Sequence, residues 1–370
     1  MKRCEITNPY PASITVTEVP LPACPEKGAV VRILYSGVCH SDLHIWDGFL
    51  TVGQSKVLNL VERPGFSYPK IPGHEIVGVV EFLGSRAVGC GVSVGDRVVV
   101  YTWGGCGDCR RCLNGLGNLC EESKKEIGFD IPGGYAQFVA VDLVSYLIPL
   151  PEHIDGATGC MLGCAGLTSY SAVKKAMPVV TVTADLGETP KLMVIGAGGV
   201  ALWGLQLART CFPKSTIIIC AEVDDEKFSA AKKAGADKTV LFQLDKDIAM
   251  NAEAVTVTSN GKVDAVLDFV NSSFTAAVAV ECIRKGGMCV MIGLFGGSLE
   301  LCLPFMPLCS RTVTAVYTGS LPDLRELVQL VSNKGIHAPT HEFHRLDELQ
   351  DVFEKMKKGQ LNGRAILKPN

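Results

Sequence analysis

The chain has 370 residues, of which 47% are hydrophobic and 20% are charged, and its formal net charge is −3. This balance is typical of globular proteins, and the lack of a basic excess argues against nucleic acid as the main partner. The N-terminus has two basic residues but no signal-peptide apolar run behind them, and no stretch approaches about eighteen continuous apolar residues. We therefore expect a cytoplasmic protein with no membrane partner, and the length suggests two domains.

The first part of the chain, to about residue 165, contains short β-type runs separated by glycine and proline, such as AVVRILYSGV, EIVGVVEFLG and DRVVVYTW. Runs of this length with turn residues between them predict an irregular, mostly β lobe.

Within this lobe, residues 105–120 contain Cys106, Cys109, Cys112 and Cys120. In a reducing compartment, cysteines are expected to be free thiols or metal ligands. The first three are too close to pair comfortably with one another, whereas the glycines between them allow four sulfurs to converge at about 2.3 Å from a zinc ion. A redox pair or four unrelated buried thiols is the alternative. We favour a closed structural zinc site, its charge offset by nearby basic residues: Arg110, Arg111, Lys124 and Lys125.

After about residue 165 the pattern changes to alternating strands and helices. The apolar run KLMVIGAGG leads into the helical stretch VALWGLQLART, and further strands are predicted at STIIICAE, VDAVLDFV, GGMCVMIGL and RTVTAVYTG. Such alternation predicts a doubly wound parallel sheet. From about residue 320, two helix-like segments precede a short strand, RAILKP.

A glycine turn joins the first of these strands to its helix. Gly196, Gly198 and Ala201 form the pattern G-x-G-x-x-A, in which the glycines allow the turn and the approach of a pyrophosphate. Glu222 ends the next strand and could accept hydrogen bonds from the ribose hydroxyls while repelling a 2′-phosphate, which favours NAD over NADP. The alternative for Glu222 is a surface glutamate at a strand end.

Four motifs follow one another along the chain: GVCHSDLHIWDG, PGHEIVGVVE, the four-cysteine loop and VIGAGGVALWG. In this order they resemble the zinc-dependent medium-chain alcohol dehydrogenases of the medium-chain dehydrogenase/reductase superfamily, over nearly the whole chain. The resemblance implies an α/β two-domain fold, with a GroES-like catalytic domain at 1–166 and 320–370 and a Rossmann NAD-binding domain at 167–319. It also implies two zinc ions per subunit, one catalytic and one structural, a homodimer or homotetramer, and reversible hydride transfer between a primary or secondary alcohol and NAD, giving an aldehyde or ketone.

The resemblance also implies roles for single residues near the catalytic zinc. Cys39, His74 and Cys164 would bind the ion, and Glu75 would lie behind it and ligate it transiently. The other implied roles are orientation of the bound histidine by Asp42, proton relay through Ser41 and His44, and a pocket wall at Trp46.

The cofactor contacts implied by the resemblance are spread along the chain. His40 and Arg364 would contact the cofactor phosphates, and Thr168 would pack against the nicotinamide. Ile292 and Leu294 would contact the carboxamide of the nicotinamide, and Glu222 would bind the ribose. The turn residues that would bind the cofactor are Gly196, Gly198, Gly199, Val200 and Ala201.

Several readings remain beside this one. A polyol, threonine or aryl-alcohol dehydrogenase of the same fold is the nearest, although Cys164 argues against polyol members and Glu222 against NADP-linked ones. A zinc-free enoyl or quinone reductase would lack Cys39 and the thiol cluster. A catalytically silent relative, kept as a binding or structural protein, would have lost a ligand. The long segment 45–73 could line the substrate cleft or form a subunit contact.

Overall fold

The computed structural model describes residues 1–53, 56–63, 65–361 and 363–369. Gln54, Ser55 and Pro64 of the long segment 45–73 therefore lie outside the described residues. The chain divides into two compact units: the first comprises Met1–Leu50, Leu58–Leu167 and Thr318–Asn370, and the second Thr51–Val57 and Thr168–Tyr317. The main difference from the predicted division is Thr51–Val57, which we expected in the first domain.

The strands of the described residues are β1 (Lys2–Ile6), β2 (Ile14–Glu18), β3 (Ala29–Gly37), β4 (Phe49–Val52), β5 (Lys56–Asn59), β6 (Glu75–Leu83), β7 (Arg97–Val100), β8 (Trp103–Gly104), β9 (Lys125–Glu126), β10 (Phe138–Val141), β11 (Leu147–Pro149), β12 (Lys191–Ile195), β13 (Ile217–Glu222), β14 (Lys238–Leu241), β15 (Val263–Asp268), β16 (Ile283–Met291), β17 (Thr312–Ala315), β18 (His341–Arg345) and β19 (Arg364–Lys368).

The helices of the described residues are α1 (His40–Asp47), α2 (Arg110–Leu113), α3 (Gly156–Met161), α4 (Leu167–Asp185), α5 (Gly199–Cys211), α6 (Phe228–Lys233), α7 (Ile248–Ser259), α8 (Ser273–Cys282), α9 (Phe305–Cys309), α10 (Leu321–Lys334) and α11 (Leu349–Lys357). The sequence patterns did not predict α4, whose first residues continue directly from a π-helical turn at Leu162–Gly166.

The first unit is built on a mainly antiparallel sheet. Its strands lie in the order β11-β7-β6-β3-β19-β18, and β10 also pairs with β3. The pairing of β3 with β6 sets Gly37 opposite Glu75, and β19 adds its end to the same region of β3. This register brings the end of β3, the start of β6 and the start of β19 together, although they are far apart in sequence.

The second unit is a parallel sheet in the order β14-β13-β12-β15-β16-β17. Counted along the chain, this is the order 3-2-1-4-5-6 of doubly wound dinucleotide-binding sheets, so the predicted fold class is confirmed. Every residue of β15 is buried, as expected for a strand covered on both faces. The order reverses between β12 and β15, and the glycine turn follows β12 at this point.

Both ends of α10 show why this segment forms a helix. Ser320 and Asp323 form a capping box at its start, and Gly335 ends it in the left-handed conformation. Its buried side chains recur at helical spacing: Leu321, Leu324, Leu327, Val328 and Val331. Among the helices of the described residues, none combines the length and apolar character needed to cross a bilayer.

Phe353 on α11 is fully buried in the core of the first unit. Its ring centroid lies 5.5 Å from that of Trp46 and 6.3 Å from that of Tyr135. We predict that Phe353→Ala lowers the stability of this unit by about 3–5 kcal/mol, because it removes apolar contacts and leaves a cavity. Thermal and chemical denaturation measure the change. Phe82→Ala, at a side chain 45% exposed in the same unit, is the control, and equal losses in the two variants would contradict this assignment of the core.

Candidate metal centres and cofactor site

The start of α1 holds two of the predicted site residues in fixed positions. Cys39 is the N-cap residue, and its backbone N–H donates to Asp42 Oδ2 at 3.0 Å, which is one half of a capping box. Asp42 is fully buried. The carboxylate that caps this helix therefore also faces the inside of the unit, where the other predicted site residues lie.

His74 is fully buried and lies directly before β6. Its Nδ1 is 3.2 Å from Asp42 Oδ1, and Thr102 Oγ1 donates to its backbone carbonyl at 2.9 Å. Both ring nitrogens are buried, and neither makes a hydrogen bond of standard geometry with a described residue. A buried nitrogen that is oriented by a carboxylate on the opposite side of the ring is the usual arrangement of a metal-binding histidine.

Cys164 completes this group from the π-helical turn Leu162–Gly166. Single π-helical turns are uncommon and frequently occur at functional sites. The ligand atoms of Cys39, His74 and Cys164 all lie within 4.8 Å of one another, and all three residues are buried. We call this group the histidine–thiol site.

The histidine–thiol site fits a zinc ion. Two thiolates and one imidazole are ligands that zinc prefers, and three protein ligands leave one position open, as in catalytic zinc sites. The hydrogen bond from Cys164 and the charge of Arg364 hold the pKa of Cys39 well below its usual value. A thiolate at Cys39 is the form that binds metal.

Glu75 and Arg364 form a buried ion pair beside this site. Both Glu75 oxygens accept from the Arg364 guanidinium, with Nε to Oε2 at 3.3 Å, and Oε1 also accepts from the backbone N–H of Ala165 at 3.2 Å. Burial raises the pKa of Glu75, and Arg364 opposes this. The Glu75 carboxylate is thus held by Arg364 and is not among the clustered ligand atoms, so its transient ligation, like the Arg364 phosphate contact, stays a prediction.

The predicted relay residues lie on one side of α1. Ser41 and His44 are three residues apart and partly exposed, so they share a helix face. Ser41 Oγ is 3.7 Å from Cys39 Sγ, and burial lowers the pKa of His44.

Trp46, which we expected at a pocket wall, is packed in the hydrophobic core of the first unit. Its side chain is 1% exposed, packs between Tyr10 and Phe353, and donates to the Ala12 carbonyl at 3.0 Å. These contacts give Trp46 a packing role, and its place at the substrate pocket stays a prediction.

The four-cysteine loop also forms a compact group of sulfurs. Cys106 and Cys112 Sγ are 3.9 Å apart, as are Cys109 and Cys120 Sγ, and all four lie within 4.8 Å of one another. Four sulfurs at about 2.3 Å from one tetrahedral zinc would be about 3.8 Å apart. These separations exclude disulfides within the loop and fit a closed four-sulfur site.

Backbone N–H groups point at these sulfurs. The N–H groups of Cys106, Cys109 and Cys112 donate to Cys120, Cys106 and Cys109 Sγ at 3.3–3.5 Å. Burial raises the pKa of Cys120, but hydrogen bonds from backbone N–H groups outweigh this effect and lower the pKa to about 6. Three of the four expected basic neighbours have other partners: Arg111 pairs with Glu121, Lys124 with Glu126 and Lys125 with Asp142. Backbone dipoles therefore stabilise the thiolate charge more directly than basic side chains do.

The glycine turn of the second unit leaves room for a ligand at the start of α5. Gly196 has a φ of +98°, and Gly198 is the N-cap without a side-chain capping bond. A Cβ at Gly198 would meet no atom within 4 Å, whereas Ala201 is packed inside. The free N–H groups and the open space beside Gly198, Gly199 and Val200 fit the pyrophosphate of a dinucleotide.

Glu222 has a structural contact in addition to its predicted role. Its Oε2 accepts from the backbone N–H of Ala197 at 2.8 Å, and its Oε1 accepts from that of Val223 at 2.8 Å. The carboxylate thus lies at the end of β13, bound to the glycine turn, where a ribose is expected.

The other predicted cofactor residues lie in both units. His40 is exposed at the start of α1, and Thr168 lies in the first turn of α4. Ile292 follows β16 and donates its N–H to the Asp268 carbonyl at 3.0 Å, while Leu294 is 58% exposed. Their contacts with a cofactor stay predictions.

Three aromatic residues near His74 belong to no predicted motif. The rings of Trp103 and Phe129 lie 5.3 and 4.9 Å from the His74 ring, and Trp103 Nε1 donates to the Gly163 carbonyl at 2.9 Å. The Tyr135 hydroxyl donates to Asp42 Oδ2 at 2.6 Å. No local sequence pattern marks these residues as neighbours of the site.

Comparisons with known proteins agree with this geometry. The family models for the alcohol dehydrogenase GroES-like domain and for the zinc-binding dehydrogenases match residues 25–152 and 199–333. An NAD-dependent alcohol dehydrogenase of Saccharolobus solfataricus is 31% identical over 97% of both chains, and an alcohol dehydrogenase of Geobacillus stearothermophilus is 30% identical over 99% of both.

The solved structure of the alcohol dehydrogenase from Aeropyrum pernix superimposes with a TM-score of 0.85 and 27% identity, covering 100% of each chain. Because full-length relatives reach 30% identity and both family models match in the expected order, the chain belongs to the zinc-dependent medium-chain alcohol dehydrogenases.

Proposed function

We propose that this protein is an NAD-dependent alcohol dehydrogenase that converts a primary or secondary alcohol and NAD⁺ into an aldehyde or ketone and NADH, reversibly. The observation that carries the proposal is the convergence of Cys39, His74 and Cys164 on one buried point with Asp42 behind the histidine. Zinc held by these three residues would supply a Lewis acid for the alcohol oxygen, and NAD held at the glycine turn would supply the hydride acceptor.

The residues of the chain orient the reactants and move the proton. Asp42 holds the His74 ring, and Thr102 holds the His74 backbone, so the ligand set is fixed before substrate arrives. Ser41 and His44 form the route by which the alcohol proton leaves, and the lowered pKa of His44 keeps its imidazole able to accept a proton near neutral pH. Trp103 and Phe129 cover the His74 ring with apolar surface and keep water from it.

The finer features of the proposal have separate support. The four-cysteine geometry supports a second, structural zinc, and Glu222 beside the glycine turn supports NAD over NADP. None of the 16 cysteines forms a disulfide, which supports a reducing, cytoplasmic location. β17 is one of the two edge strands of its sheet, which is compatible with the homodimer or homotetramer that we propose.

The reaction and the metal are tested together. We expect NADH formation from a panel of primary, secondary and benzylic alcohols, abolished by a zinc chelator and by His74→Ala, because the variant lacks a ligand. Steady-state absorbance assays and metal analysis measure both effects. His337→Ala, at a side chain 74% exposed, is the control. Full turnover by His74→Ala, or by chelated protein, would refute zinc-dependent catalysis.

Cofactor choice is tested at Glu222. We predict that Glu222→Gln raises the ratio of NADP to NAD efficiency by about tenfold, or ~1.4 kcal/mol, because an amide keeps an acceptor for the Ala197 N–H but no longer repels a 2′-phosphate. The kcat/KM values for both cofactors measure the ratio. Asp225→Asn removes an exposed negative charge three residues away, and an equal change there would show a general charge effect instead.

The four-cysteine site is tested by stability. We expect Cys112→Ser to lose one zinc per subunit and to melt at lower temperature, while the folded fraction keeps most of its activity, since a closed site performs no chemistry. Calorimetry, metal analysis and turnover measure the three effects. Cys211→Ser, also partly buried but outside the cluster, should change none of them. Loss of turnover without loss of stability would contradict the structural role.

A further inference from the structure

The Asp42 carboxylate is surrounded by hydrogen-bond donors. Oδ1 accepts from the backbone N–H of Gly73 at 3.2 Å and lies 3.2 Å from His74 Nδ1. Oδ2 accepts from the backbone N–H of Cys39 at 3.0 Å and from the Tyr135 hydroxyl at 2.6 Å. Tyr135 is the one member of this group that is neither a predicted ligand nor next to one in sequence.

Tyr135 is held firmly in this position. Its side chain is fully buried, its N–H donates to the Pro72 carbonyl at 3.0 Å, and its own carbonyl accepts from the N–H of Cys4 at 2.7 Å. Its ring occupies the space beside Gly73, where a Cβ would lie 2.6 Å from the Tyr135 ring. Because Gly73 also has a φ of +96°, the turn before His74 and the Tyr135 ring fit each other only with glycine there.

The Tyr135 hydroxyl acts as a donor in this contact. An ionised carboxylate can only accept hydrogen bonds, and the contact has the short length typical of a hydroxyl that donates to a carboxylate. Burial and the Asp42 charge raise the pKa of Tyr135 well above its usual value, so the phenol keeps its proton.

We propose that Tyr135 is a positioning residue of the histidine–thiol site, whose hydroxyl fixes the Asp42 carboxylate that in turn orients His74 and the backbone of Cys39. This inference rests on the proposed function, because it requires that the site binds zinc. Tyr135 acts on the metal through Asp42, and it touches neither the metal nor the substrate.

Removal of the hydroxyl should weaken metal binding. In Tyr135→Phe, the ring and its packing remain, but Oδ2 keeps only the Cys39 N–H as a hydrogen-bond donor. A buried carboxylate that has lost a hydrogen-bond donor is free to rotate, and rotation loosens its hold on His74. Loss of outer partners of metal ligands typically lowers metal affinity about 10–100-fold, and we expect about tenfold here because Tyr135 is one step further away.

The test is a chelator competition titration of purified, full-length, zinc-loaded protein, in which the two zinc equivalents are followed separately. His74→Ala identifies the equivalent that belongs to the histidine–thiol site. Tyr101→Phe is the matched control, because Tyr101 is also fully buried in the first unit and its hydroxyl donates to the Gly319 carbonyl at 3.0 Å. The four-cysteine zinc serves as an internal control within each protein.

We expect Tyr135→Phe to weaken only the histidine-site zinc, while Tyr101→Phe leaves both zinc affinities unchanged. Equal affinities in Tyr135→Phe and Tyr101→Phe, or equal weakening of both zinc sites by Tyr135→Phe, would overturn the inference. If the wild-type protein binds zinc only at the four cysteines, the proposed function fails and this inference fails with it, so the two failures are distinguishable.

A double-mutant cycle tests the route through Asp42. In an Asp42→Asn background the charge that Tyr135 stabilises is absent, so Tyr135→Phe should lower the zinc affinity less than it does in the wild type. The same loss in both backgrounds would overturn the proposed route. If Tyr135→Phe does not fold, a fluorotyrosine at position 135 keeps the ring and hydroxyl but changes the donor strength. The affinity of the histidine-site zinc should then change, and an unchanged affinity would again overturn the inference.

Discussion

The buried charge of Asp42 is the constraint on which the first unit depends. A buried carboxylate without partners costs several kcal/mol, so the chain must surround it with donors. Those donors come from the start of α1, from the turn before β6 and from Tyr135. The hydrogen bonds that stabilise the buried Asp42 carboxylate therefore also align three segments that are distant in sequence.

Glu75 is a second buried carboxylate of the first unit, and it is stabilised by Arg364, a partner distant in sequence. Gly37 faces Glu75 across the β3–β6 ladder, and any side chain at residue 37 would overlap the Glu75 carboxylate. Arg364 at the start of β19 then reaches this carboxylate and compensates its charge. Two acidic groups beside the histidine–thiol site thus each have dedicated partners. Glycine at 37 leaves space for the Glu75 carboxylate, and glycine at 73 leaves space for the Tyr135 ring.

Sequence patterns predicted the parts of the protein whose geometry is local. The cysteine loop and the glycine turn are each formed by residues close in sequence, so spacing alone indicates their chemistry. The contacts of Tyr135 with Asp42 and of Arg364 with Glu75 join residues 93 and 289 positions apart, which no spacing rule can connect. The burial of Trp46 was equally hidden from spacing rules: residues two apart do not share a helix face, so Trp46 packs in the core while His44 stays partly exposed.

The two metal centres therefore depend on the fold in different ways. The four-cysteine site takes all its ligands from the 105–120 loop, and backbone groups of that loop and of Glu122 and Ser123 stabilise its sulfurs. It can therefore organise this segment as soon as metal binds. The histidine–thiol site takes its ligands from the N-cap of α1, from the residue before β6 and from a π-helical turn, so it exists only after the sheet has formed. Its three ligands are distant in sequence and converge only when the first unit folds. The open position for substrate and the hydrogen bonds that orient His74 therefore form in the same step as the fold.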